Sequence, residues 1–166
     1  MPELREDTAS DGTVCLRSAL LESAGFLHAF STRTGPGTLP FDLSRPGFSP
    51  LHTSEELCAT NLARFASLLD PENPDRRIAS PRQVHGNRVV DAAIADQEEA
   101  DAVITGDPDM IAAIRTADCV GILLACPVSG LVAAVHAGWR GLVADAPGTA
   151  LRLLCTRGGE PPERIL

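Results

Sequence analysis

A cysteine and a histidine carry the strongest chemical signal in this sequence. Cys119 and His136 lie near the two ends of the stretch RTADCVGILLACPVSGLVAAVHAGWRG at 115–141. A thiol and an imidazole can bind one soft or borderline metal ion, or they can act as a nucleophile and its base. Asp118 precedes the cysteine, but neighbouring residues of a strand face opposite ways, so a role in orienting the base is not expected.

A hairpin is predicted to bring the pair together. Apolar runs at 120–126 and 131–135 flank a Pro-Val-Ser-Gly break, a composition typical of a turn between antiparallel strands. If those four residues form the loop, Gly121 pairs with His136, and Cys119 becomes a diagonal neighbour roughly 7–8 Å from His136 at Cα. A register slip of one residue would place the two side chains on opposite faces.

Position distinguishes the four histidines. His85 falls in the turn of Gln-Val-His-Gly-Asn, where a strand end projects its side chain beyond the sheet and the next glycine permits close backbone approach. His28 and His52 are assigned structural roles. With Cys119 and His136, His85 supplies a third N/S ligand, a set that suits zinc and leaves one coordination position open, as in catalytic zinc sites.

A cysteine-histidine nucleophile is the alternative interpretation of the same residues. In that case His136 deprotonates Cys119, and the thiolate attacks an acyl carbon. The residues alone leave both interpretations open, because the separations match no short zinc motif.

Two arginines are candidate ligands for an anion. Arg140 lies in a glycine-flanked segment that leads from a strand toward a helix, and its planar guanidinium suits phosphate or carboxylate. Arg33, at the end of another predicted strand, is a second candidate. Asp101 enters the predicted strand at 102–105, and solvation of a sheet edge is its simplest explanation.

Composition limits the class of protein. The chain has 166 residues and 44% hydrophobic content, which predicts one domain, and its net charge of -8 disfavours nucleic-acid binding. No apolar run is long enough to span a bilayer, and the N-terminus lacks the features of a signal peptide, so a cytoplasmic protein without membrane contact is expected. The five cysteines are an odd number at irregular spacings, which argues against a disulfide framework.

The local patterns predict strands largely segregated from helices, and therefore an α+β fold. Residues 1–13 are expected to form a flexible acidic tail before a single domain at 14–166. A capping box of Thr53 and Glu56 predicts a helix that ends before Pro71. The other predicted elements are strands at 26–32, 82–84, 88–93, 102–105 and 110–115, an irregular loop at 38–52, and a last helix within 142–157. Pro147 is expected either to lie in the first turn of this helix or to break it.

Five motifs in order resemble the YfiH family, also called the laccase-domain, polyphenol-oxidase or peptidoglycan-editing-factor family. They are HAFSTR at 28–33, RQVHGNRVV at 82–90, ADAVIT at 100–105, TADCVGILLACP at 116–127 and VAAVHAGWRG at 132–141. The resemblance implies a mixed-sheet layered α/β sandwich of the cysteine-hydrolase-like type. It also implies a zinc site built from His85, Cys119 and His136.

The resemblance implies purine nucleoside chemistry as well. The expected reactions are phosphorolysis of adenosine, inosine, guanosine or methylthioadenosine, and adenosine deamination, with nucleoside and phosphate as small-molecule partners and Arg140 and Arg33 holding phosphate or ribose oxygens. The alternatives are a metal-independent amidase that edits peptidoglycan precursors through Cys119 and His136, a copper-dependent polyphenol oxidase, and an inactive metal-binding domain. The family pattern continues beyond Leu166, so a chain lacking the C-terminal part is expected. The oligomeric state is left open, with a monomer favoured.

Overall fold

The structure, a computed structural model, describes residues 4–37, 40–45 and 51–166. The chain divides into two units, Met1–Asp75 and Arg76–Leu166, and each is described by itself. No helix in the described ranges has the length and apolar character needed to cross a membrane. The extent of the predicted domain at 14–166 stays a prediction.

The first unit combines a small antiparallel sheet with two helices. The elements in chain order are β1 (Leu4–Thr8), β2 (Val14–Ser18), α1 (Ala19–Ser23), β3 (Phe30–Ser31) and α2 (Glu55–Leu69). The sheet has the order β1-β2-β3, and β2 pairs with both neighbours. His28 is buried just before β3; its Nε2 accepts from the Ser18 backbone N–H, and its Nδ1 lies 2.8 Å from the Phe26 carbonyl oxygen. These contacts support the structural role assigned to His28.

Three predictions for this unit need correction. Residues 4–8 are a strand and not a loose tail, because they form a hairpin with β2 in which the Arg17 guanidinium donates to the Asp7 carboxylate across the strands. The predicted strand at 26–32 is reduced to β3. The N-cap of α2 is Ser54 rather than Thr53, since the Ser54 hydroxyl accepts from the Leu57 N–H.

The predicted end of α2 agrees with the structure, whereas parts of the predicted tail and loop lie outside the described residues. Helix α2 ends at Leu69, before Pro71, as predicted. Residues 1–3 of the predicted tail, and 38–39 and 46–50 of the predicted loop, lie outside the described residues.

The second unit contains a mixed four-stranded sheet. The strands and α-helices of this unit are β4 (Arg77–Ala79), β5 (Val89–Asp91), β6 (Ala102–Thr105), β7 (Met110–Ala112), β8 (Val120–Ala125), β9 (Val132–Ala137), α3 (Trp139–Val143) and α4 (Ala146–Gly158). The strand order of the sheet is β5-β6-β9-β8; β5 and β6 are parallel, and the other two pairings are antiparallel. A separate parallel pair is formed by β4 and β7. The α+β class and the mixed sheet are confirmed.

Small aliphatic side chains form the core on both faces of this sheet. On one face, Ala102 and Val135 pack with Ala146 and Ala150 of α4. Core clusters on the sheet's strands also include Val90 and Val103, packed with Ala79 of β4. Short alanine and valine side chains thus fill this core, as expected for a chain with few aromatic residues.

The β8–β9 hairpin has the register predicted from its sequence. Gly121 pairs with His136, and the Cys126 N–H donates to the Leu131 carbonyl at 2.8 Å. Among the other predicted strands, 102–105 is confirmed, whereas 88–93 and 110–115 are shorter than predicted. Residues 82–84 are not a strand; Arg82 makes only an isolated bridge to Glu99.

Helix α4 begins at an N-cap in an unusual conformation. Asp145 has a left-handed backbone, φ 58°, and its carboxylate accepts from the Gly148 N–H. Pro147 lies in the first turn, which is one of the two predicted alternatives. Asp145→Ala removes the cap and places alanine in the left-handed region, so we expect the free energy of unfolding to fall by about 1–3 kcal/mol.

Asp145→Asn is the matched control in urea denaturation. Asparagine caps equally well and tolerates this backbone. It removes only the charge of the exposed pair with Arg152, a type of pair that contributes little. Equal losses for the two variants would contradict the capping role.

Candidate metal centre

Three side chains of the second unit meet at one end of the β8–β9 hairpin. Each of His85, Cys119 and His136 offers one ligand atom, and these atoms all lie within 4.8 Å of one another. The two imidazole rings are 4.9 Å apart between centroids, at an interplanar angle of 79°. Two imidazoles and a thiol are a donor set that zinc or copper can use.

The three side chains come from different kinds of local structure. His136 lies within β9, Cys119 lies in a bend just before β8, and His85 lies in the turn between β4 and β5. His136 is 3% exposed, Cys119 is half-buried and His85 is exposed. The group therefore has a buried side at the sheet and an accessible side at the His85 turn.

The Asp101 carboxylate holds the backbone of the His85 turn by hydrogen bonds. His85 has a left-handed backbone, φ 62°, a conformation uncommon outside glycine. The N–H groups of Val84, His85 and Gly86 all donate to the Asp101 carboxylate, at 3.3, 2.9 and 2.6 Å. Three converging donors thus stabilise a turn that the His85 side chain alone would not favour.

Asp101 also contacts His136, and the assignment of this residue to edge solvation is wrong. It is completely buried, its Oδ1 lies 2.8 Å from Nδ1 of His136, and its carbonyl oxygen accepts from the His136 N–H at 2.7 Å. A buried carboxylate needs such partners to offset its desolvation. The sequence signal that could have found it is an acid immediately before the apolar run Ala-Val-Ile that begins β6.

Gln83 ties the His85 turn to the segment that precedes Cys119. Its side-chain carbonyl accepts from the Arg115 N–H at 2.8 Å, and its amide donates to the Arg115 carbonyl at 2.7 Å. The Gln83 side-chain amide thus pairs with both backbone groups of Arg115, as the backbone of a neighbouring strand would. Sequence reasoning did not single out Gln83, although it precedes the candidate histidine by two residues.

Gly138 leaves the space in which the ligands meet. A Cβ at this position would lie 2.9 Å from Sγ of Cys119 and 2.9 Å from Cδ2 of His85. A Cβ at Gly141 would lie 3.1 Å from the Gly86 carbonyl, so α3 also approaches the His85 turn closely. The glycines of the HAGWRG segment are therefore explained by packing at the site.

Asp118 contacts the candidate ligand Cys119 and not the candidate base His136. The thiol donates to the Asp118 carboxylate with an Sγ–Oδ1 distance of 3.6 Å. Cys119 lies in a bend and not in a strand, so the alternation of strand side chains does not apply. Desolvation, the hydrogen bond to Asp118 and the negative charges of Asp118 and Asp101 raise the pKa of the Cys119 thiol.

Alkylation of the metal-free protein tests this environment. Because the thiolate is the reactive form, a raised pKa shifts the midpoint of Cys119 alkylation to higher pH than that of an ordinary thiol. We expect Asp118→Asn to lower this midpoint, with peptide mass spectrometry separating Cys119 from the other cysteines. A wild-type midpoint below that of a free thiol would contradict the expectation and favour an activated nucleophile.

The two predicted anion-binding arginines lie in different units. Arg140 is exposed in α3, and its guanidinium lies over the Trp139 ring, 5.2 Å from the centroid. Arg33 is exposed in the first unit. Phosphate or ribose binding by either residue stays a prediction.

Comparison with known families places the chain in one of them. The family model described as multi-copper polyphenol oxidoreductase laccase matches residues 27–166. The chain therefore belongs to this laccase-domain family, the YfiH family that its motifs resemble.

Curated relatives carry the name purine nucleoside phosphorylase. One from Deinococcus radiodurans is 36% identical over 138 residues, covering 83% of this chain and 53% of the relative. Another, from Streptomyces coelicolor, is 45% identical over 89 residues, covering 51% of this chain and 37% of the relative. The chain thus spans about half the length, or less, of these curated relatives.

Solved structures show the same fold. YlmD from Geobacillus stearothermophilus superposes with a TM-score of 0.79 at 23% identity, covering 99% of this chain and 63% of that one. The Bacillus licheniformis hypothetical protein YfiH gives a TM-score of 0.71 at 20% identity, with 96% and 62% coverage. At these identities the likeness concerns the fold alone.

Proposed function

We propose that this chain carries the metal centre of a zinc-dependent purine nucleoside phosphorylase. The observation that carries the proposal is the convergence of His85, Cys119 and His136 within 4.8 Å, with an accessible side at His85. The name shared by the curated relatives supports purine nucleosides as the substrate class. Adenosine, inosine, guanosine and methylthioadenosine are the proposed substrates, and adenosine deamination is a proposed second reaction.

Zinc is proposed rather than copper because of the number of ligand groups. Multicopper oxidation needs more than one copper site, and each site draws on further histidines or cysteines. Among residues 4–37, 40–45 and 51–166, one group of three or more potential ligands meets in this way. Three protein ligands are the number typical of catalytic zinc sites.

In phosphorolysis, the bond between the purine and C1′ of the sugar breaks while a phosphate oxygen bonds to C1′. The purine leaves with a proton, and the sugar becomes a 1-phosphate. A bound zinc ion would supply Lewis-acid stabilisation of developing negative charge. Exposed Arg140 of α3 is proposed to hold phosphate or ribose oxygens through its guanidinium.

Metal analysis combined with a nucleoside assay tests the proposal. Purified protein is analysed for bound metal, then incubated with inosine or adenosine, with and without phosphate, while chromatography follows free base, sugar phosphate and inosine formed from adenosine. We expect one zinc per chain and base release that requires phosphate. Zinc-replete protein that forms neither free base nor deaminated product would contradict the proposed activity.

Two other outcomes are informative. An amidase that uses Cys119 and His136 without metal would survive chelation and lose activity on thiol alkylation, although the raised pKa of the Cys119 thiol does not favour it. An inactive metal-binding domain would bind zinc stoichiometrically and turn over no nucleoside.

A further inference from the structure

We infer that Asp101 is the positioning residue of the metal centre, and that one buried carboxylate presets both histidines before any metal binds. The inference rests on the proposed function in one respect, namely that His85 and His136 are metal ligands. It assigns to Asp101 a role that its place at the entry of β6 does not suggest. Two independent sets of contacts support it.

The first set determines which nitrogen of His136 is available. A carboxylate oxygen only accepts hydrogen bonds, so the 2.8 Å contact between Oδ1 and Nδ1 requires the proton on Nδ1. Nε2 then keeps its lone pair and is the ligand atom. The backbone bond from the His136 N–H to the Asp101 carbonyl, together with burial of both residues, restrains the ring further.

The second set determines where His85 points. The carboxylate accepts from three successive backbone N–H groups, those of Val84, His85 and Gly86, and so closes the turn around itself. This closure keeps His85 in its left-handed conformation. Because the side chain leaves from that backbone, Asp101 determines its direction without touching the imidazole.

Asp101 is not itself positioned as a ligand. Oδ1 accepts from the His85 N–H and from Nδ1 of His136, and Oδ2 accepts from the N–H groups of Val84 and Gly86. Four donors use the acceptor capacity of an ionised carboxyl group. The distinction matters because replacing a carboxylate by its isosteric amide affects zinc binding directly at a ligand, but only through the two histidines at a positioning residue.

An amide of the same shape cannot reproduce these contacts. If Asn at position 101 directs its NH₂ toward the site of Oδ1, two donors face His85 and His136, and His136 is driven to carry its proton on Nε2. If the NH₂ takes the site of Oδ2, it faces the N–H groups of Val84 and Gly86. Either orientation disturbs at least one histidine, whereas a purely space-filling role would tolerate the change.

Asp101→Asn is therefore compared with wild type and with Asp91→Asn. Asp91 lies on β5 of the same sheet, and its carboxylate pairs with Arg157 at the surface. Zinc affinity is measured by competition with a chromophoric chelator, and cobalt substitution reports cysteine ligation through its thiolate absorption. We expect Asp101→Asn to weaken zinc binding by roughly 10–100-fold, as outer-shell changes typically do, and Asp91→Asn to match wild type.

Nitrogen NMR of metal-free wild-type protein gives a second readout that needs no variant. We expect the His136 ring proton on Nδ1. In folded Asp101→Asn we expect either the Nε2-protonated form or a disturbed His85 turn, seen in the amide resonances of residues 84–86.

Each outcome has a defined meaning. Unchanged zinc affinity in folded Asp101→Asn would overturn the inference, and so would a proton on Nε2 of His136 in the metal-free wild type. If Asp101→Asn does not fold, the position of the His136 ring proton in the metal-free wild type tests the inference. If wild type binds no zinc, the proposed function fails, and the tautomer measurement still tests the link between Asp101 and His136.

Discussion

Cys119→Ala is expected to abolish stoichiometric zinc binding and to reduce phosphate-dependent base release to background. The substitution removes the only sulfur ligand of the group and leaves two histidines. Loss of a direct ligand should exceed the roughly 100-fold upper value typical of outer-shell changes. The fold should persist, because Cys119 is half-buried in a bend outside the core clusters.

Cys155→Ala is the matched control for this prediction. Cys155 is also half-buried, but it lies on α4, and the ligand group does not include it. Metal content, chelator competition and the nucleoside assay are compared for the two variants and wild type. Cys119→Ala protein that retains one tightly bound zinc would contradict the assigned ligand set.

Gly138→Ala is expected to have the second-largest effect, although it removes no ligand. The added methyl group would lie 2.9 Å from both Sγ of Cys119 and Cδ2 of His85. Both distances are shorter than a methyl carbon can keep from a sulfur or a ring carbon. The backbone of Gly138, φ −70° and ψ 170°, is accessible to alanine, so the conflict is confined to the ligands. We expect zinc affinity to fall by at least about 100-fold, since both displaced groups are direct ligands.

Gly106→Ala provides the control for adding a methyl group in the same unit. Its Cβ would meet Cδ2 of Leu131 at 3.0 Å, the far end of a flexible side chain that can move aside. Thermal unfolding establishes that both variants fold, and chelator competition gives their zinc affinities. Wild-type affinity in Gly138→Ala would show that the ligands do not need the space left by this glycine.

The hairpin illustrates what local patterns in a sequence can predict. Its two apolar runs and the turn between them involve residues close in the chain, and a one-residue slip would expose an entire apolar face. The pairing of Gly121 with His136 was therefore predictable. The same reasoning predicted the end of α2 before Pro71, because proline acts through its own backbone.

Elements that depend on distant partners were predicted less well. Strand β1 looks like an acidic tail because its charged residues find partners such as Arg17 only after the hairpin forms. The strand predicted at 82–84 is absent and the one at 110–115 is shortened to β7, since a local pattern does not show how far a neighbouring strand extends alongside it. Thr53 and Ser54 can both cap a helix, so the choice between them depends on where the backbone of α2 begins.

The sequence by itself determined the chemical identity of the site: an imidazole and a thiol joined by a hairpin of defined register, and a second imidazole in a turn. Only the tertiary structure decided that Asp101 would be their common support and that Gly138 would leave room for them. These roles arise from contacts between segments far apart in the chain, as between Asp101 and the His85 turn or between Gly138 and Cys119. Hydrophobic periodicity records which face of an element is buried, but it does not record which buried polar groups will meet there.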